Sequence, residues 1–518
     1  MPAAPRGGLH DRTLRCGFFL SFAPHGQSPA GTLRGGFLSR RQDTMLSTSR
    51  LALRSSPVNL SLAVTLAVWL GSKWYFADWF DNPYKYAAKA ASLSATVMMC
   101  WCFVLSARGA VFEDWFGGLD KVYQMHKRLG KTAFWLIALH PVFLAMDRLP
   151  DAGAFLRMLW LQQWRGDSYL LGHNLGVAAF AVLLCLMLPT LWVRVPYHRW
   201  KRGHEWFGLF LAVAALHVFV VNRDVRAYPV LGVLIFGCLA AAAAAYVYIR
   251  FLYRFLGPRH GYRVDCIERH GDVLEVTFVP RGKAMSFKPS QFVYLVVERA
   301  GISPEPHPYS IACGYNLESR FKLGIRMVGD HTRSLAALAP GDPVTVYGPY
   351  GRFSDRFLAA ERDCVFIGAG IGITPFLGMW HVAVHSGERL PGPLPDAAEQ
   401  AAHPEIRAGW RAPAVSLFYV VSTQEQASFD NDIRNEVILS QFRGFPAFEA
   451  RGHHYELYVS SRQGRMEAAY VETRVRGGVA GKNVFLCGPT TMIESLRAQF
   501  LALGVPPDRI IVEDFNLL

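Results

Sequence analysis

Residues Lys121–Met146 read KVYQMHKRLGKTAFWLIALHPVFLAM. The stretch is mostly apolar and carries a histidine near each end, His126 and His140, 14 residues apart. Its apolar part, Leu129–Met146, approaches the ~20 residues a membrane-spanning helix needs. Five further apolar runs lie at Leu60–Phe76, Tyr86–Ser106, Tyr169–Trp192, Trp206–Val221 and Tyr228–Ile249. Together they predict a six-helix transmembrane bundle over residues 55–257. A chain of 518 residues is too long for one ordinary domain. At 51% hydrophobic and 18% charged it fits a protein that is part membrane and part soluble.

The formal charge of +14 does not call for nucleic acid, because no basic stripe with interleaved aromatics is present. Positive residues instead collect on the cytoplasmic side of membrane proteins. The basic segments VRVPYHRWKR and RFLYRFLGPR, and an N-terminal stretch with eight arginines and two acids, place both termini in the cytoplasm. The expected protein is multi-pass in the lipid bilayer of the cell membrane, with runs three and five parallel. Residues 1–54 read as a disordered cytoplasmic tail, or as a mis-assigned start ahead of Met45. None of the nine cysteines forms a C-x-x-C pair, which excludes zinc ribbons and Cys-ligated iron–sulfur clusters. Reduced thiols are expected.

Run five repeats the opening pattern: His204 and His217 are 13 residues apart. At ~1.5 Å per residue each pair spans about 20 Å of a ~30 Å hydrocarbon core. On parallel helices His126 then faces His204, and His140 faces His217. Two imidazoles at each of two depths suit two bis-histidine b haems, since imidazole is a good axial ligand for haem iron. Gly130 and Gly208, each four residues after the inner histidine, leave room for a porphyrin edge. Four membrane histidines that merely bond neighbouring helices are the plainer alternative, and His173, which has no such partner, is read that way. The spacing of 13 conflicts with an ideal helix, which would turn the second histidine about 140° away from the first. Either helix five departs from ideal or the haems meet it on different sides. Lys89 in helix two either attracts an anion or snorkels to the interface.

After Arg259 short β-rich runs (VLEVTF, FVYLVV, FKLGIRMV, PVTVYG) predict a small antiparallel barrel over 258–356. From Cys364 strands and helices alternate, predicting an α/β domain with an open parallel sheet over 357–518. It is interrupted by a surface insertion at residues 386–414. HPYS, residues His307, Pro308, Tyr309 and Ser310, resembles the flavin-contacting motif of ferredoxin-reductase-like flavoproteins, with His307 in place of the usual arginine. By that resemblance Tyr309 and Ser310 touch the isoalloxazine of FAD. GDHTRSL follows, and backbone N–H groups from Gly329 with Thr332 can bind the FAD pyrophosphate at a helix start. In VFIGAGIGITPF, a buried strand runs into Gly368, Gly370 and Gly372, then Thr374 and Pro375, which suits a dinucleotide pyrophosphate. About 120 residues on, Cys487, Gly488 and Pro489 match the second half of a nicotinamide site in that fold. The strand LFYVV ends in Ser422–Thr423–Gln424 without an acid for a ribose diol. Ser461 and Arg462, with Arg465 nearby, stand where such reductases grip a 2′-phosphate. NADPH is therefore expected over NADH. Phe515, near the C-terminus, is the candidate to cover the flavin.

Taken together, from about Leu60 onward, the chain resembles the NADPH oxidase and ferric reductase superfamily of bacterial type. The resemblance rests on the two histidine pairs, FGGLDKVYQMHKRLG, YHRWKRGHEWFG, HPYS, GAGIGITPF and CGP. Ser290, in KPSQF, stands where a glycine is usual, and there is no EF-hand loop. The resemblance implies a relay: hydride from cytoplasmic NADPH to FAD, then single electrons through the inner and outer haems to an external acceptor. Oxygen, giving superoxide, is the first choice and a ferric chelate the alternative. A haem-containing ion or proton channel is the reading from another class. No obligatory protein partner is expected.

Overall fold

The computed structural model describes residues 56–513, apart from 78, 80, 81, 164, 165, 194, 196, 315–319, 387–402, 408 and 443–447. The N-terminal tail, Phe515 and most of the insertion expected at 386–414 lie outside the described residues.

The membrane half is built from α1 (Ser56–Tyr75), α2 (Pro83–Ser106), α3 (Ala110–Phe116), α4 (Leu119–Met146), α5 (Ser168–Trp192), α6 (Tyr197–His204), α7 (Phe207–Val221) and α8 (Pro229–Val247). Local chemistry sets several starts. The Asn82 side chain accepts from the Tyr84 N–H at 2.8 Å with Pro83 opening α2, and Asp167 accepts from Tyr169 N–H at 2.9 Å to cap α5. Among the described residues five helices are long and apolar enough to cross a membrane, α6 and α7 acting as parts of one span. The first expected run is helical over 20 residues, but Asn59, Ser61, Thr65, Ser72 and Lys73 dilute its apolar character. The bundle exterior is apolar: Trp135, Leu139, Leu216, Phe219 and Val233 are exposed on it. That pattern is the reverse of a soluble helix bundle and fits lipid contact. The core between the helices is formed by Leu93, Val97, Phe103, Phe134, Leu183, Phe210 and Ile235.

The second unit is a six-stranded antiparallel sheet of β1 (Arg259–His270), β2 (Val273–Pro280), β3 (Phe292–Val297), β4 (His307–Ser310), β5 (Phe321–Arg326) and β6 (Pro343–Tyr350), ordered β4-β3-β6-β1-β2-β5. It curls around a core of Tyr262, Val276, Phe278, Leu295, Phe321 and Val346. Among the described residues its two edges meet at one bridge, Ile311 to Leu323, so it is a half-barrel rather than the closed barrel expected. A strand as short as β4, four residues, cannot carry a full closing ladder. The third unit is a parallel sheet of β7 (Cys364–Ala369), β8 (Val415–Val421), β9 (His454–Val459), β10 (Asn483–Cys487) and β11 (Ile510–Glu513), ordered β11-β10-β7-β8-β9. The order reverses between β7 and β10, and ligands bind parallel sheets at such switch points.

The membrane half docks on the sheets through an apolar cluster. Leu119, Val122 and Met125 of α4 pack with Phe292, Tyr294 and Tyr350. Glu113 of α3 accepts from the Gly351 N–H at 2.5 Å, Lys201 of α6 reaches Glu305 at 2.5 Å, and Lys121 donates to the Val512 carbonyl at 3.3 Å. The basic segment between runs four and five therefore lies on the same side of the bundle as the two sheets.

Candidate functional site

Three of the four histidines in the apolar bundle are held by backbone bonds. His140 Nδ1 donates to Ala88 O of α2 at 2.9 Å, and His217 Nδ1 donates to Gly172 O of α5 at 2.8 Å. Each bond fixes the ring and leaves Nε2 as the lone-pair donor. Both rings line one cavity of about 550 Å³ between the helices, with Leu93, Met99, Phe180, Phe210 and Leu239 among its apolar walls. A cavity of this size, apolar, with two anchored imidazoles, fits a haem. Gly176 is the close-approach point: a Cβ there would sit 2.7 Å from His217 Cε1. Lys89 lines the same cavity, 2.5 Å from Asn222 Oδ1 and 3.4 Å from Asp224, so it turns into the bundle and does not snorkel.

The second pair lies toward the sheets, one turn beyond Val122. His126 Nδ1 donates to Cys102 O at 2.9 Å, and the Cys102 thiol points back to His126 O at 3.7 Å. The His126 and His204 ring centroids are 6.1 Å apart. A metal–imidazole bond is about 2 Å, so two axial rings of one metal have centroids about 6 Å apart. The residues present fit a second haem. His204 stands against Trp200 and Phe207, and its Nδ1 has no hydrogen-bond partner among the described residues. Gly208 makes room for a ring, but in this structure that ring is Tyr246, which a Cβ would meet at 2.2 Å. Gly130 is more open, with Cys102 Sγ 3.9 Å from the same kind of probe position.

The spacing of 13 has a structural cause. The fifth span breaks between α6 and α7 at Glu205–Trp206, where Trp206 N–H bonds Gly203 O at 3.1 Å and Leu209 N–H bonds Trp206 O at 2.9 Å. These three-residue bonds overwind the chain locally, so the ideal-helix angle does not apply. Helix α4 is continuous through Pro141 over its 28 residues.

In the half-barrel, HPYS forms β4 and pairs with β3, Tyr294 opposite Pro308 and Phe292 opposite Ser310. The His307 ring stacks on His331 of GDHTRSL with centroids 3.7 Å apart, so the fold brings the two expected flavin motifs together. Burial, reinforced by His331 and opposed by Glu305, pushes His307 down to about 4. Burial pushes the Tyr309 phenol up. Ser290 Oγ, His307 Nε2, Tyr309 Oη and His331 Nδ1 are buried without hydrogen-bond partners among the described residues. Buried polar atoms normally have partners, and a polar cofactor such as FAD would supply them here. Ser290 has φ +67°, the left-handed region in which glycine is at ease. Thr332 Oγ1 accepts from Gly329 N–H at 3.0 Å, so its hydroxyl is engaged within its own turn, a helix of five residues, α9 (Asp330–Ser334).

At the switch point the two glycine motifs interlock. A Cβ on Gly372 would meet Cys487 O at 2.7 Å, and one on Gly488 would meet Ala369 Cβ at 2.8 Å. Gly370 has φ +55° and Gly488 φ +156°. Gly368 packs under Ile373 and Phe376, and Thr374 and Pro375 open the next helix, α10 (Thr374–Val384). Thr374 Oγ1 donates to Ile371 O at 2.9 Å, which leaves the loop's N–H groups at the helix start. Pro489 precedes the helix Thr490–Ala502. Cys487 is fully buried at the end of β10. Ser461 N–H bonds Ser422 O at 3.1 Å, joining the ends of β9 and β8, and Ser461, Arg462 and Arg465 are exposed there.

Four features had no weight in the sequence. Glu425 stands one residue past Ser422–Thr423–Gln424; the Thr423 hydroxyl and its own backbone N–H hold its carboxyl below the usual range, with Arg462 adding to the pull. An acid near the end of the second parallel strand was the available signal. Gly172 and Gly176, four apart on an apolar helix, mark the approach to His217. The Arg108 guanidinium lies 4.0 Å from the Tyr294 ring centre and 5.4 Å from that of Tyr253, at the junction of bundle and half-barrel. The last feature is the stacked His331.

Residues 91–215 match the family model for the ferric reductase like transmembrane component. The chain is 32% identical over 145 residues to NADPH oxidase 1 of Mus musculus, covering 27% of this chain and 23% of that protein. It is 22% identical over 334 residues to a superoxide-generating NADPH oxidase heavy chain of Dictyostelium discoideum, covering 56% and 46% respectively. The flavohem-like FAD/NAD binding domain of nitric oxide dioxygenase from Vibrio cholerae aligns at 20% identity and TM-score 0.37, over 49% of this chain and 98% of that one. The chain spans about half or less of the length of the curated relatives it matches. Residues 91–215 are thus similar to the ferric reductase transmembrane component, and longer segments of the chain are similar to NADPH oxidases.

Proposed function

We propose that this chain moves electrons from cytoplasmic NADPH, through FAD and two b haems, to an acceptor on the other side of the cell membrane. The observation that carries the reading is the pair of histidine pairs at two depths, three of the four rings anchored through Nδ1 to a backbone carbonyl. His126 and His204 would hold the inner haem, His140 and His217 the outer. Tyr309 and Ser310, with His307 and His331, would hold the flavin; Gly370, Gly372 and Gly488 would admit the nucleotide pyrophosphate; Arg462 would grip the 2′-phosphate through its planar fork. The bound groups supply the redox chemistry, a flavin accepting a hydride and a haem carrying single electrons. The chain fixes where they sit.

In this reading α1 is the sixth span, both termini are cytoplasmic, Phe515 covers the flavin, and no protein partner is required. Oxygen, giving superoxide, is the first acceptor. A ferric chelate is the second reading, favoured by the family match over 91–215. NADPH added to purified protein in liposomes should reduce b-haem bands with no partner present. Superoxide formation and ferric-chelate reduction, measured side by side, then separate the acceptors. Haem bands that stay oxidised while NADPH is in excess would favour a channel and sink the relay.

A further inference from the structure

Among the described residues, one cluster outside the candidate cofactor sites has metal-ligand chemistry with no part in the relay. His381 and His385 lie four residues apart, a separation that sets two side chains on one face of a helix. His381 is in α10, and His385 caps its C-terminal end. Glu436 faces them from α11 (Asp430–Phe442). His385 Nε2 is 2.6 Å and His381 Nδ1 3.1 Å from the same oxygen, Glu436 Oε2. One nitrogen or oxygen of each residue lies within 4.8 Å of the others. Tetrahedral zinc with bonds of about 2.0–2.1 Å places its ligand atoms about 3.3 Å apart. The two short contacts approach that value, and the side chains of His381 and Glu436, 39% and 32% exposed, are free to rotate by the small amount needed.

We propose that His381, His385 and Glu436 form a binding site for a divalent transition ion of the zinc type, with solvent as the fourth ligand. Two imidazoles and one carboxylate are a zinc donor set. They disfavour magnesium and calcium, which demand mostly oxygen ligands. Burial works to raise the Glu436 carboxyl, but the bonds to His381 and His385 outweigh it and hold the group below the usual range. The carboxylate is thus held in its charged form by the same two imidazoles that would share the ion with it.

The position gives the ion a task. Helix α10 starts at the glycine loop with Thr374 and ends next to His385. The Phe429 ring, just before α11, and Thr374 Cγ2 both crowd Gly324, where a Cβ would meet them at 2.6 and 2.8 Å. A metal joining His381 and His385 to Glu436 would pin the far end of α10 to α11 and so brace the dinucleotide loop.

The test uses full-length protein in detergent, stripped with a chelator, re-supplied with zinc alone, desalted, and assayed by elemental analysis and chelator competition. Variants are His381→Gln, Glu436→Gln and the double; His385 is left in place because it is the most buried of the three. The expected wild type retains about one zinc per chain, and each variant, losing a ligand itself, binds more weakly by at least the ~10–100-fold that loss of an outer partner costs. Zinc should raise the thermal midpoint of the soluble half in the wild type only. FAD and haem content equal to wild type would show that the variants are folded. Zinc retention as strong in the double variant, or none in the wild type at micromolar zinc, overturns the site whatever the protein's electron-transfer activity.

Discussion

The membrane half and the half-barrel present polar groups to their candidate sites in opposite ways. In the bundle, His126, His140 and His217 each commit one ring nitrogen to a backbone carbonyl and keep the other free. In the half-barrel, Ser290 Oγ, Tyr309 Oη, His307 Nε2 and His331 Nδ1 are buried without a partner among the described residues. A histidine can be anchored and still offer a lone pair, so a lipid-embedded site can be prepared without leaving polar groups unmet. The hydroxyl of Tyr309 has no second handle and depends on the ligand itself. The first kind of site is built by the fold; the second is completed by what binds.

The strongest way to break this contrast is His140→Leu, which removes a ligand yet keeps α4 apolar. Haem per FAD should fall by about half, and far-side acceptor reduction should fall by about 100-fold or more. Both haems retained would overturn the pairing. His126→Leu should stop NADPH from reducing the remaining haem, since the first step across the bundle is gone.

Next is Gly176→Val, at a glycine that lines the same cavity as His140 and His217. Its Cβ would meet the His217 ring at 2.7 Å and disturb the bond from His217 to Gly172 O. Losing such an outer support costs about 10–100-fold in metal affinity. Haem titration into washed membranes should show one weakened site and one unchanged; two unchanged sites would mean that the anchor does not matter.

In the soluble half, Arg462→Ala should lower kcat/KM for NADPH about tenfold or more relative to NADH, from the loss of a charge-assisted bond worth about 1.5–3 kcal/mol. An unchanged ratio would transfer the selectivity to Glu425. Tyr309→Phe should weaken FAD binding by about tenfold, the worth of one hydrogen bond. The FAD-free protein should be as stable as before, because the deleted hydroxyl has no partner among the described residues.

His307 gives a pH test with a definite sign. Its ordinary value of 6.5 falls to about 4 in the fold. Between those values the unfolded chain takes up a proton that the folded chain refuses, so stability present above pH 6.5 is lost as pH falls toward 4. The slope from this group is at most about 1.4 kcal/mol per pH unit, and His307→Asn should remove it. The smallest effect is Ser290→Gly. Relief of a left-handed serine is worth about 1 kcal/mol, partly offset by the freedom glycine adds to the unfolded chain. A net gain of about 0.5 kcal/mol should appear as a slightly higher thermal midpoint of the soluble half, with both haem sites untouched.

Much of this was legible in the sequence because it is periodic or local. Apolar length located the helices, and the alternation after Cys364 located a parallel sheet. GAGIGITPF and CGP announce a meeting that the switch point then makes. What escaped depends on contacts between distant segments. No local pattern tells that Gly172 O waits for His217, or that His331 stacks on His307. A closed barrel is the natural expectation because β-rich runs do not reveal how many residues pair at the seam; among the described residues Ile311 and Leu323 do so. Ser290 shows the opposite case: the missing glycine was visible, and the structure supplies its cost in backbone angle.

The two-residue break at Glu205–Trp206 bears on how such proteins are recognised. A search that demands one fixed interval between paired histidines treats a helix as a ruler. Here the ruler is jointed, and the joint absorbs the residue by which 13 differs from 14. A residue could be lost or gained at such a joint without imposing the full turn that an ideal helix would put between the two imidazoles. A profile that scored the intervals on the two helices independently would recover such chains, and one that tied the intervals together would pass them over.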